Sequence, residues 1–212
     1  MLDTRGLPFR SRALHQIGYG ELLEPQLADH AAVVRQLIER HSFLDGERIG
    51  AIGYSGGGLA TARALFDYGH IFKVGVAVCG NHDSSLYTSF WSDKYRGPGA
   101  RDGWTRQANS AAAHKLSGKL LLMSGDLDEN VHVSQTLCLA NALIRANRDF
   151  DLLIVPNEGH MVLMASGYAH RRAWDFFVLH LLGQSPPANF EIKFEPHEVK
   201  RMEKSLIREL LS

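Results

Sequence analysis

Three groups of residues in this 212-residue chain could do chemistry together. One is Ser55, in Gly53-Tyr54-Ser55-Gly56-Gly57, with a glycine two places before it and two after. Another is "GDLDENVH" (125–132), which offers Asp126, Asp128 and Glu129. The last is "PNEGH", ending on His160. A serine hydroxyl is a poor nucleophile until a base takes its proton, and an imidazole serves as that base when a carboxylate orients it. Serine, acid and histidine in that chain order make an acyl-transfer inventory, with all three acids still eligible.

The elements around these groups read consistently with that chemistry. "RIGAIGY" (48–54) is a short buried strand and "GGLATARALFDYG" (57–69) a helix, so Ser55 lies on the turn between them. At such a turn the residues two before and two after the serine crowd together, and glycines 53 and 57 suit both places. "FKVGVAVCG" (72–80), "KLLLMSGD" (119–126) and "DFDLLIVPN" (149–157) read as further strands, with a helix over 133–147. Helices are also predicted from Pro25 to His41, on the Leu27, Ala31, Val34, Ile38 stripe, and over 168–183. The latter carries Trp174, Phe177, Val178, Leu181 and Leu182 on one face, with Gly183 as its cap. Strands that are apolar throughout and alternate with helices imply an α/β fold, a parallel sheet covered on both faces. Ser55, the three acids and His160 then all fall at carboxyl ends of strands, where open sheets of this type hold their sites.

The other readings of these residues fail on spacing. Glycine between strand and helix also suits a dinucleotide, but Gly50, Gly53 and Gly56 are not G-x-G-x-x-G. The acidic residue expected about 20 positions on is replaced by "FDYGHIFK". No cofactor is expected. Of the eleven histidines, His30, His41, His132, His170 and His180 lie in or beside helices, where surface or capping roles suit them. No HExxH or comparable spacing marks a metal site. Cys79 and Cys138 read as buried free thiols. Lys plus Arg equals Asp plus Glu at 23 each, which removes the electrostatic argument for nucleic acid or an anionic membrane surface. No apolar run approaches the roughly 18 residues of a membrane span.

"GYSGGG", "GDLDENVH" and "NEGH", with "FKVGVAVCGNHD" and "DKYRGP" between them, resemble the catalytic domain of the prolyl oligopeptidase family, nearest its dipeptidyl peptidase IV branch. The resemblance runs from "LDTRG" to "FFVLHLLG", close to residue 183. It implies an α/β-hydrolase fold and serine peptidase activity on a peptide substrate. Ser55 would be the nucleophile, Asp128 the orienting acid and His160 the general base, with the Gly56 amide donating to the oxyanion. Asn130 would hold a backbone carbonyl of the substrate. Val131, Tyr87 and Trp91 would line an apolar pocket that in related enzymes takes proline or alanine. An acylaminoacyl-peptidase or esterase of the same fold, or a non-catalytic remnant acting in assembly, are the competing readings.

Departures from the family pattern carry further expectations. Position 56 is glycine where the family often has an aromatic. The strand at 48–54 is left at a sheet edge, an aggregation liability when exposed. That implies a missing N-terminal hydrolase segment, which usually carries the second oxyanion donor, and the family's β-propeller is missing too. Residues 1–183 are read as the catalytic domain. Residues 184–212 are read as an extension whose Val199, Met202, Leu206 and Leu210 form a helical stripe suited to packing on the domain or to a homodimer.

Overall fold

The computed structural model describes residues 3–7, 9–98 and 101–193. The expected tail stripe at Val199 to Leu210 lies outside the described residues. Four strands, β1 (Gly50–Tyr54), β2 (Val74–Val78), β3 (Lys119–Gly125) and β4 (Asp151–Val155), form one sheet in that order. All neighbours are parallel, with Gly50 opposite Val74, Val74 opposite Lys119, and Leu121 opposite Asp151.

The helices in chain order are α1 (Arg12–Gln16), α2 (Glu24–Arg40), α3 (Gly56–Asp67), α4 (Ser89–Arg96), α5 (Arg101–Gln107), α6 (Asn109–Ala112), α7 (Ser134–Arg145), α8 (Val162–Ala165) and α9 (Gly167–Leu181). Strands added always on the same side with crossovers of one hand must place those crossovers on one face of the sheet. That is the arrangement found. Residues of α2, α3, α6 and α7 share one core with Ala77, Leu120 and Leu122. The opposite face, built on Val74, Val76, Val78, Leu121 and Met123, is covered by α8 and α9, which follow the last strand. Among the described residues no helix is long and apolar enough to cross a membrane.

Three local expectations are corrected. β1 is an edge strand among the described residues and is not buried: Ile52 is 52% exposed, because α9 reaches only as far as Gly50, where a Cβ would lie 2.7 Å from the Phe177 ring. On α9 the buried line is Ala169, Ala173 and Phe176, while Trp174 and Leu182 are exposed. Small residues four apart let the helix approach the sheet, and that contact, not bulk, sets its facing side. Cys138 is exposed although Cys79 is buried, since α7 turns Gln135, Thr136, Leu139 and Leu143 inward instead. Short helices also fill two connections: α1, capped by the Ser11 side chain, and α4 to α6 between β2 and β3.

Candidate active site

Ser55 is the N-cap of α3, and the chain passes from β1 into the helix through it alone. Its φ of 56° and ψ of −119° lie in a region that L-residues rarely occupy. Its N–H donates to the Val78 carbonyl at 2.9 Å, which ties the turn to β2, and its side chain makes no capping bond. The hydroxyl is left standing above the sheet edge. The crowding at this turn falls on positions 53 and 58 and spares 57. A Cβ on residue 53 would sit 2.0 Å from the Gly57 carbonyl oxygen, and one on residue 58 would sit 2.5 Å from the Val78 oxygen. A Cβ on residue 57 meets nothing within 4 Å. The need for glycine therefore lies at 53 and 58, and the expectation for position 57 is corrected: its side chain would point away from the strand.

His160 lies on the loop between β4 and α8. Its Nε2 is 3.2 Å from the Ser55 Oγ, and its Nδ1 is 2.8 Å from Asp128 Oδ2 and 3.0 Å from Oδ1. A carboxylate only accepts, so the ring proton belongs on Nδ1 and Nε2 faces the hydroxyl as an acceptor. Both partners are buried, Asp128 at 3% and His160 at 8% exposure. Asp128 Oδ1 also accepts from the backbone N–H groups of Asn130 (3.0 Å) and Val131 (2.8 Å). Burial by itself would raise the Asp128 carboxyl. The His160 ring and the Val131 N–H outweigh it and hold the group below its ordinary range. A hydroxyl so placed can give its proton to the ring as it attacks an acyl carbon, and the buried carboxylate stabilises the imidazolium that forms.

All three acidic candidates touch the His160 loop, in different ways. Asp126 Oδ1 accepts from the Asn157 N–H at 2.7 Å, and Glu129 Oε2 from the His160 N–H at 3.4 Å. Only Asp128 is hydrogen-bonded to the imidazole. The other two hold the loop that carries it.

Gly56 is the first residue of α3, so its N–H is among the helix N–H groups without an intrahelical acceptor, and the space around its Cα is open. The Tyr87 hydroxyl donates to Asn130 Oδ1 at 2.7 Å, and the Tyr87 ring meets Trp91 edge-on with centroids 5.6 Å apart. Trp91 in turn packs on Tyr95 at 4.8 Å, so the wall begun by Tyr87 continues along α4. Val131 joins the others through its backbone, since its side chain is only 1% exposed.

Two neighbours of the site were missed in the sequence. The Tyr54 ring lies 4.8 Å from that of His160, and its hydroxyl approaches Met161 Sδ at 3.4 Å. Cys79, read as an ordinary buried thiol, lies beneath the site: its sulfur, an Asp128 oxygen and a His160 nitrogen all fall within 4.8 Å of one another. That trio has the composition of a metal site. However, the ring and carboxylate already satisfy each other, and burial and the Asp128 charge push the thiol up to about 12, so it keeps its proton. No sequence spacing signals either residue. The adjacency of Tyr54 to Ser55 and the place of Cys79 at a strand's carboxyl end were the available hints.

A parallel α/β sheet with a serine on a strained strand-to-helix turn after β1, an acid on the loop after β3 and a histidine on the loop after β4, is the α/β-hydrolase arrangement. The chain belongs to the prolyl oligopeptidase family, whose model matches residues 1–184. It is 29% identical over 186 residues to dipeptidyl peptidase 8 of Homo sapiens, covering 85% of this chain and 20% of that protein. It is 32% identical over 166 residues to venom dipeptidyl peptidase 4 of Vespula vulgaris, covering 75% and 21% respectively. The crystal structure of Porphyromonas gingivalis dipeptidyl peptidase 4 superposes with a TM-score of 0.75 at 27% identity, over 86% of this chain and 26% of that one. The chain thus spans 20% to 26% of the length of these proteins.

Proposed function

We propose that this chain is the catalytic portion of a serine peptidase that hydrolyses peptide bonds by acyl transfer, with Ser55 as nucleophile, His160 as general base and acid, and Asp128 as the group that orients His160. The observation that carries the reading is the 3.2 Å approach of His160 Nε2 to a hydroxyl held at φ 56°, with the far side of the ring on a buried carboxylate. Ser55 Oγ attacks the scissile carbonyl carbon while its proton passes to Nε2. The oxyanion that forms faces the Gly56 N–H at the start of α3. The C–N bond then breaks as His160 returns the proton to the leaving amine. Water, deprotonated by His160, hydrolyses the acyl-enzyme and frees Ser55.

The specificity that fits best is dipeptidyl-peptidase-like, with cleavage after proline or alanine. The Asn130 amide would hold a substrate carbonyl, and the Tyr87–Trp91 wall, with Val131 behind it, would face the residue before the cut bond. Relatives named dipeptidyl peptidase support this, and their greater length leaves room for a second oxyanion donor and a propeller outside this sequence.

Labelling with a fluorophosphonate, located by peptide mass spectrometry, tests the reading. Native protein should react at Ser55, and heat-denatured protein and Ser55→Ala should not. Folded protein that leaves Ser55 unlabelled would overturn it. Proline- and alanine-containing dipeptide amides, with free and with blocked amino termini, then separate the dipeptidyl-peptidase reading from an acylaminoacyl-peptidase.

A further inference from the structure

Cys79 stands out for its backbone as much as for its place. It is a non-glycine residue with φ of 47°, just past the carboxyl end of β2, the strand beside the one that Ser55 follows. Its N–H still donates to the Met123 carbonyl at 2.8 Å, so the ladder continues through it while the chain turns left-handed. Such a conformation is unfavourable for a side-chain-bearing residue and persists where the surroundings impose it. The turn delivers a fully buried sulfur to the cluster that holds one Asp128 oxygen and one His160 nitrogen within 4.8 Å.

The donors around Asp128 show what the thiol can supply. Oδ1 takes both backbone N–H groups, from Asn130 and Val131, and Oδ2 takes the His160 ring at 2.8 Å. A carboxylate oxygen has two lone-pair sites, which leaves room at Oδ2 for one more donor. The Asp128 charge, after burial, is among the causes that push the thiol up, which fits a protonated sulfur beside the carboxylate.

We infer that Cys79 is a positioning residue: its S–H donates to Asp128 and tempers the negative charge that His160 feels. The inference rests on the triad reading above and adds a member to it. Removing the donor concentrates charge on the carboxylate, which stabilises the imidazolium and makes His160 easier to protonate. A hydroxyl in place of the thiol donates more strongly and does the opposite. Tyr54, Glu129 and Tyr87 are the other titratable groups close to this cluster, and both substitutions leave them in place.

The test is a pH titration of the His160 ring by NMR on the folded chain, its signal assigned by loss in His160→Gln. The measurement needs no turnover, so it stands apart from labelling of Ser55. Cys79→Ala should raise the titration midpoint and Cys79→Ser should lower it, each by about half a pH unit. Where the chain labels at Ser55, the acid limb of the labelling rate should move the same way. A filler of space alone would leave the midpoint unmoved in both variants. Unmoved midpoints, or shifts of the same sign, would overturn the inference.

Discussion

The Tyr87 hydroxyl donates to the side-chain oxygen of Asn130 at 2.7 Å, which orients the amide. The oxygen keeps one further lone pair, and the NH₂ group offers two donors. In the proposed function those NH₂ donors receive a substrate carbonyl. Tyr87→Phe should raise KM and lower kcat/KM about 5- to 10-fold, the equivalent of about 1 kcal/mol for one hydrogen bond. Steady-state kinetics on dipeptide amides check this, and unchanged constants would remove Tyr87 from any orienting role.

The strain at Ser55 should be visible in stability. Its φ of 56° with ψ of −119° suits glycine far better than any residue with a Cβ. Ser55→Gly should be more stable than Ser55→Ala by about 1 kcal/mol, strain relief of roughly 1–3 kcal/mol exceeding glycine's extra unfolded-state entropy. Urea unfolding of the two variants, neither of which can be labelled, isolates the backbone contribution. Equal midpoints would mean that the turn is relaxed.

The two glycines flanking Ser55 should behave unequally. Gly53→Ala places a Cβ 2.0 Å from the Gly57 carbonyl oxygen, and neither backbone can give without moving the turn. That variant should lose about 2–4 kcal/mol and its fluorophosphonate labelling. Gly57→Ala adds a methyl to open space in the first turn of α3 and should be neutral, or up to about 1 kcal/mol more stable, with labelling retained. Similar losses in both would show that the crowding is symmetric.

His82 should make the chain acid-sensitive well above the carboxylate range. It is fully buried, its Nδ1 accepts from Asn109 Nδ2 at 3.1 Å, and burial pushes its pKa down to about 3 from the ordinary 6.5. The unfolded chain therefore binds this proton more readily than the folded one. The stability contribution is complete above 6.5 and drains away as pH falls toward about 3, at up to about 1.4 kcal/mol per unit. Urea midpoints measured across that window should fall in the wild type, with a shallower fall in His82→Gln. Parallel curves would mean that His82 is hydrated or paired in solution.

Much of this molecule is local and therefore legible in its sequence. Short apolar runs such as Val74–Val78, rich in valine and alternating with helical patterns, suit a parallel sheet covered by helices, so the α/β alternation is legible in the sequence pattern. The parallel direction then carries Ser55, the "GDLDENVH" acids and His160 to one edge, because each follows a strand. What local pattern does not encode is which side chain meets which across that edge. Asp126, Asp128 and Glu129 are equivalent by spacing, and the choice among them came from a family likeness. In the folded chain the difference is one of direction: Asp128 turns inward onto the ring of His160, while Asp126 and Glu129 bond its loop backbone. Ile52, Trp174 and Cys138 fit apolar patterns and still face solvent, since exposure depends on how far a neighbouring element extends. Cys79 is the sharpest case. Nothing in "VAVCG" distinguishes a packing thiol from one held beside the acid, because the difference lies in a left-handed turn and in a loop 49 residues further along the chain.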